Sequence, residues 1–556
     1  MKIRFLTLVC AMLAWTGMKA QQNTESEGTM VSRSMTIEGT YNPSVTQAQK
    51  QMPVPQKPQV EAEKQPVSYI LDVKPLSSYV NDAMTPIGRT AGERYEYVGL
   101  ARLGYGMRNN LDGMLDLGLD FTDRDMLRLN WGMNGWNTVT VEDPDWRSRM
   151  FDMDASAAYV HATPDLSVGV HGGFGVERFN YRHLGTVQGD GIPRQFLLRG
   201  EAGIFLASTD IHNLTYSLDA RWKGLSAENV GYKPDFGRED LLRIDGSIAL
   251  SYGEGKVGLD YYHKSAFFDW RTRVGDVEYD NYTTLSLSPY MTWSNDEIEA
   301  LAGVDLNLHT DNGELFQIAP RIEASYRWRD KIMLFANYNG GIQDYDMRYM
   351  FQFSPYWAES RQIMDGYTLV NLQIGATFTP ADFCSLSLTA GDKVTLNDLF
   401  QTVDSVALYD AQGDNKLVVS GISQNRSNML YAELTGQVSV QEWFSGDFLF
   451  GAYKWDVKES RNVLVMRPVL KTEGHIRTAI QDDLYFDISY RYHLMSKYND
   501  ERLKPLNDLG FALNYTYRYK TTFTLKGTNL LDRGYYMYAG YPVEMWSLTG
   551  GVTYRF

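Results

Sequence analysis

Charged side chains recur at alternate positions along this chain, and the chemistry they suit is that of a wall facing water. Asp116 and Asp120, Asp154, Arg243 and Asp245, Asp260, Arg321 and Glu323, and Asp487 and Arg491 each stand between aliphatic, aromatic or small neighbours. A wall of one sign would select ions of the other. Here both signs occur, which favours mutual pairing over selective conduction. The eight histidines are His161, His171, His183, His212, His263, His309, His475 and His493. None sits in a His-x-x-x-His or His-Glu-x-x-His spacing, no Gly-x-Ser-x-Gly elbow occurs, and no calcium-loop spacing is present. No catalytic residue, metal site or cofactor is therefore expected, although a site gathered from distant strands would leave no spacing to read. The glycine cluster Gly172–Gly175 reads as strand curvature rather than a phosphate loop.

A different chemistry is offered by Tyr345, Tyr349, Phe351, Phe353, Tyr356 and Trp357, all within residues 341–364. Exposed on an extracellular loop, such rings would stack on sugars or on a partner protein. The competing reading is an aromatic girdle carried above a membrane by long strands, and it is the favoured one. The 393–427 stretch, with Asp410, Asp414 and Asn415, reads as the longest loop, with room for a small hairpin.

These residues need elements with period 2. Leu115, Leu117, Leu119 and Phe121 face away from Asp116 and Asp120, and Phe151 to Tyr159 repeats the pattern against Asp152 and Asp154. Leu484 to Tyr492 repeats it against Asp487 and Arg491. At the end of the chain Trp546, Leu548, Val552, Tyr554 and Phe556 form an apolar face with aromatics at both ends, opposite Ser547, Thr549, Thr553 and Arg555. That combination suits lipid on one side and an aqueous lumen on the other. Short polar turns at 122–125, 163–165, 253–255, 294–297, 329–330, 379–382, 481–483 and 519–521 alternate with longer connectors near 136–149, 179–194, 225–237, 341–364, 393–427, 494–506 and 530–544. The expected fold is all-β: a large antiparallel transmembrane β-barrel of about 22 strands, within roughly 18 to 24, with short periplasmic turns and longer extracellular loops. An even strand number puts both ends of the barrel on the periplasmic side.

Composition agrees. The 556 residues carry a net charge of −15, which argues against nucleic acid as a partner. Mean hydropathy is negative, as in a soluble protein, but alternating faces give a barrel the same average. Aromatics make up 13%, including 37 Tyr, and Tyr and Trp favour membrane interfaces. Residues 1–20 read as a secretory signal peptide, with Lys2 and Arg4 before a short apolar core and a cut after Ala20. Cys10 comes too early for a lipoprotein box. Only Cys384 would survive export, so no disulfide or cysteine metal site is expected. Residues 21–94 form a periplasmic Pro-rich extension, with Pro53, Pro55, Pro58 and Pro66 favouring an extended linker. The barrel is expected over 95–556.

The stretch Thr528–Tyr536 (TNLLDRGYY), followed by Gly540–Pro542 and a last strand ending in Phe556, resembles the C-terminal segment of TonB-dependent outer-membrane receptors. Ile37–Lys50 (IEGTYNPSVTQAQK) with the proline-rich run after it is similar to the start of plug-less, TonB-receptor-like barrels of Bacteroidetes-type bacteria. The resemblance implies an outer-membrane protein of a Gram-negative bacterium, exported through the Sec pathway. It also implies outer-membrane lipid and the barrel-assembly machinery as partners, with the terminal aromatic as assembly signal. Such receptors hold a globular plug, and the stretch before the first strand here is too short for one; Met35–Glu38 is only a chance-level match to a TonB box. A missing plug, a mixed-charge lumen and aromatic loops make the first expectation a non-enzymatic scaffold or accessory subunit of an outer-membrane complex, with other envelope proteins as partners. Nutrient uptake, passive or TonB-assisted, is the second, and a membrane-embedded hydrolase the third.

Overall fold

The computed structural model describes residues 98–556, apart from 141–142, 144–145, 185–193, 209–212, 231–235, 272–277, 312, 330, 358–361, 408–415, 441–442, 458–465, 499–500 and 503. The expected signal peptide, the Pro-rich extension and the Ile37–Lys50 stretch lie outside the described residues.

Alternating sequence becomes a closed ring. Twenty-two antiparallel strands, numbered here β1 to β22 in chain order, each pair with their sequence neighbours. The last, β22 (Ser547–Arg555), pairs with the first, β1 (Gly99–Gly106), in the register Leu100 to Arg555 through Gly106 to Thr549. Closure leaves no strand with a free edge, which a sheet surrounded by lipid requires. Backbone bonds between Gly99 and Phe556, 3.0 and 3.1 Å, extend the seam to the last residue. Gly99 is needed there, because a Cβ would sit 2.8 Å from the Phe556 ring and 2.9 Å from the Asp116 carbonyl.

The two faces of the ring separate as the alternation requires. Val168, Val170 and Phe174 of β5 (Leu166–Asn180), and Phe316, Ile318 and Ile322 of β12 (Phe316–Trp328), are exposed on the outside. Residues of opposite parity, such as Glu177 on β5 and Ala319 on β12, are buried. At the chain end Val552, Tyr554 and Phe556 point outward, and Tyr554 stacks on Phe556. Trp546 and Leu548 are only half exposed. Trp546 falls just before β22, where the Arg108 guanidinium lies 5.7 Å from its ring centre.

Both ends of the barrel chain lie at the short-turn end. Most of the expected turns are present, but β14 (Gly366–Ala381) runs through the one expected at 379–382 and turns at Asp382–Phe383. The larger correction concerns 393–427. Most of it is strand: β15 (Cys384–Ala407) and β16 (Lys416–Val440) pair along nearly their whole length. The ladder slips between Thr395 and Asp398, where Asn397 takes a φ of 53°. The ladder is bulged at Asn397-Asp398 rather than ended there, because the apolar Leu399, Phe400 and Leu417–Val419 lie in pairing that resumes beyond it.

Lipid-facing and lumen-facing neighbours should respond differently to charge. Ile374→Arg, on the exposed outer face of β14, is expected to cost about 2–4 kcal/mol if it lies near mid-membrane. The adjacent inward Gln373→Arg should cost far less. Urea unfolding of the two variants in vesicles, compared with the parent, checks this.

Candidate functional site: the closed mouth of the barrel

Most of the inward charges found by sequence alternation sit beside charges of the other sign. Asp116 pairs with Arg128 at 2.8 Å, Arg243 with Asp245 at 2.8 Å, Asp260 with Arg321 at 2.6 Å, and Arg491 with Asp508 at 2.6 Å. Asp487 is bound by Arg477, by Asn514 at 2.7 Å, and lies 3.4 Å from His475. Asp154 shares the charge of Arg199 with Asp152 and Glu177, and Glu323 interacts with Arg321. Asp120 stands exposed near the short-turn end.

The aromatic segment is not an exposed loop. Tyr345, Phe351, Tyr356 and Trp357 are buried, and Tyr349 and Phe353 pack against the same cluster. The physical reason is local. Asp346 caps a single helical stretch, α1 (Met347–Phe353), its side chain accepting from the Tyr349 N–H at 2.7 Å. Tyr345, Tyr349 and Phe353 then recur every four residues and stack in a row. The opposite side of α1 presents Met347, Met350 and Phe351 to the apolar cluster.

That cluster lies across the mouth at the long-loop end. It joins Phe179 of β5, Leu225 of β7 (Leu214–Val230), Trp270 and Tyr279 of one connector, α1, the β15–β16 hairpin and Tyr541 of the connector before β22. Tyr356 and Tyr541 lie face to face with centroids 3.4 Å apart. Ser420 N–H donates to the Tyr356 carbonyl at 2.9 Å, and its hydroxyl to the Ala539 carbonyl at 3.0 Å. The end of β16 also pairs with His183–Leu184, just beyond β5. β5 and β16 are half a ring apart, so this contact bridges the lumen from wall to wall.

The segment carrying α1 is held at both ends by one lysine. Lys264 of β9 (Gly255–Asp269) is 1% exposed and binds Asp344, at the start of the segment, and Asp365, at its end, the latter at 2.7 and 2.9 Å. Asp344 also accepts from Tyr262 at 3.0 Å, and Asp365 from the Tyr345 N–H at 3.0 Å. Burial opposes ionisation of Asp344, yet the Lys264 charge and hydrogen bond hold it below the usual carboxylate range. Burial pushes Asp365 and Asp346 up. Glu239 of β8 (Phe236–Tyr252) accepts from the Met347 N–H at 3.0 Å, and Arg348 reaches Glu201 of β6 (Arg194–Ser208) at 3.2 Å.

Alternation found the wall charges but not this latch. Lys264 stands two residues past Tyr262 in the same inward row as Asp260, which was the available signal. Its partners Asp344 and Asp365 bracket the aromatic stretch from outside any strand.

No protein-family model matches the sequence, and no curated protein matches it. Solved structures do match the fold. The siderophore receptor PirA from Acinetobacter baumannii aligns at 12% identity and a TM-score of 0.63, over 84% of this chain and 81% of its own. The ferric enterobactin receptor PfeA from Pseudomonas aeruginosa, in complex with enterobactin, aligns at 12% and 0.64, over 82% and 81%. The ferric-catecholate import receptor Fiu from Escherichia coli K12 aligns at 12% and 0.60, over 83% and 82%. The described chain therefore has the barrel fold of TonB-dependent receptors.

Two outcomes follow. Lys264→Met should leave two buried carboxylates without their cation and loosen residues 344–365, at a cost of about 3–5 kcal/mol. Hydrogen exchange across that segment should rise, and Asp344→Asn with Asp365→Asn in the same chain should restore much of the protection. Glu544, in the connector before β22, has its carboxyl pushed up by burial to about 7 from 4.5. Ionising it costs more in the folded chain than in the unfolded one. Its contribution is thus fully present below pH 4.5 and lost as pH rises through about 7. Glu544→Gln should flatten the dependence of the urea midpoint on pH across that window.

Proposed function

We propose that this chain is an outer-membrane barrel for uptake of a small solute, gated at its outer mouth by its own loops. The observation that carries the reading is an apolar cluster of connectors lying across the lumen mouth, within the fold of proteins named as siderophore receptors and importers. On this reading a solute passes the mouth when α1 and the β15–β16 hairpin move. A gate of this kind suits a channel that must not leak. On this reading the long-loop end faces the cell exterior and the short turns face the periplasm. The protein is exported through Sec and folded by the barrel-assembly machinery, which reads the terminal strand ending in Phe556. It acts without a globular plug, and TonB assistance is one way to drive the opening. The role is transport, not catalysis.

A second reading has support of its own. Inward charges that pair with each other, in a barrel closed at its mouth, are also what a scaffold or accessory subunit of an envelope complex would need.

Planar-bilayer recording separates the two. The parent should be mostly closed with brief openings, and Tyr356→Ala with Tyr541→Ala, which removes the stacked pair, should give steady openings several-fold more frequent. Silence in both proteins, with stoichiometric co-purification of other envelope proteins in gentle detergent, would decide for the scaffold.

A further inference from the structure

A smaller, partly open pocket lies at the seam where β1 and β22 meet. Its walls include Asp112 of β2 (Leu111–Thr122), Trp136 of β3 (Asp125–Val139), Lys526 of β21 (Thr521–Thr528), and Asn529 and Glu544 of the connector before β22. The strand residues among them share the inward parity, since Phe523, Leu525, Val552 and Tyr554 beside them are exposed on the outside. The space sits at the long-loop end, because β2 and β22 begin there and β3 and β21 end there.

Two side chains in it stand without a partner for a polar atom. Lys526 is 7% exposed and makes no hydrogen bond or ion pair among the described residues. The carboxylates around it are already engaged: Asp112 with Arg102 at 2.7 Å and Asp508 with Arg491 at 2.6 Å. A largely buried ammonium group that is bonded to neither of these carboxylates marks a place for an anion. The Asn529 Oδ1 is a buried acceptor with no donor. The rest of Asn529 is fixed, its Nδ2 donating to the Glu544 carbonyl at 2.8 Å and its backbone N–H to Asp508 at 3.1 Å. Ser547 and Thr549 also line it, with Trp136, whose Nε1 is spent on Ser148 at 3.1 Å.

We infer that this seam pocket binds a small hydroxy-carboxylate, with an acidic sugar as the type. The carboxylate meets Lys526, a neighbouring hydroxyl donates to Asn529 Oδ1, and the carbon frame lies against Trp136. A lysine is a single point charge, whereas a phosphate dianion is better held by a guanidinium fork or by several cations. Asp112 in the same walls would repel a second negative charge. The inference rests on the uptake reading and gives it a solute class.

Titration calorimetry on the full chain in detergent tests it, with glucuronate as probe and glucose and inorganic phosphate as comparators. Saturable glucuronate binding, at least about tenfold tighter than either comparator, is expected. Lys526→Met should lower glucuronate affinity on the order of tenfold or more. If that variant fails to give the heat-modifiable band of a folded barrel, Thr549→Asp, at the half-buried rim, should lower it comparably by charge repulsion. Absence of saturable glucuronate binding, phosphate binding more tightly, or affinity unchanged in a folded variant overturns the inference. Glucuronate binding that needs Lys526, in a protein that never conducts, would keep the site and remove uptake. Conductance indifferent to Lys526 and glucuronate would do the reverse.

Discussion

Everything in this molecule depends on the pairing of β1 with β22. A sheet with lipid around it has no water to satisfy an open edge, so each strand needs a neighbour on both sides. Seven residue pairs of the seam, extended by the Gly99–Phe556 backbone bonds, complete the ring. Once the ring is closed, the period-2 alternation has a fixed meaning along every strand. Odd or even decides whether a side chain meets lipid or lumen, and an aliphatic row on one side obliges a polar row on the other.

A ring of this size encloses more space than its own side chains fill. Two different physical solutions share the work. Along the wall, inward carboxylates and guanidinium groups pair with each other. At the mouth, connectors supply an apolar mass that resembles the core of a small soluble domain, with Trp357, Met350 and Tyr181 almost wholly buried. The junction between the two solutions is Lys264. It belongs to the wall by position and to the lid by its partners, and its burial is tolerable only because two carboxylates meet it.

The wall was legible in the sequence because its rule is local. Asp116 and Asp120 between leucines, or Arg321 and Glu323 around Ile322, declare their face from neighbours one residue away. The strand number, the turn end and the loop end followed from the same rule. The mouth was not legible, because its contacts join residues far apart in sequence, such as Tyr356 with Tyr541. Aromatic density at Tyr345–Trp357 signalled something apolar but gave no sign of what would cover it. The 393–427 stretch, expected as the longest loop, is mostly strand because β15 and β16 go on pairing with each other past the bulge at Asn397-Asp398. Lys526 could not be marked from sequence at all, since a lysine between Leu525 and Gly527 looks the same whether or not a carboxylate is free to meet it.

The stacked pair at the mouth also couples the lid to the wall. Tyr541 belongs to the connector that leads directly into β22. Its partner Tyr356 lies far from it in the chain, close to α1 and the latch on β9. A barrel whose β1–β22 seam is open therefore has a gap in its wall and a lid whose two halves are not fixed against each other. Both are mended by one event, the pairing of β22 with β1. Order at the mouth is in this way tied to completion of the wall.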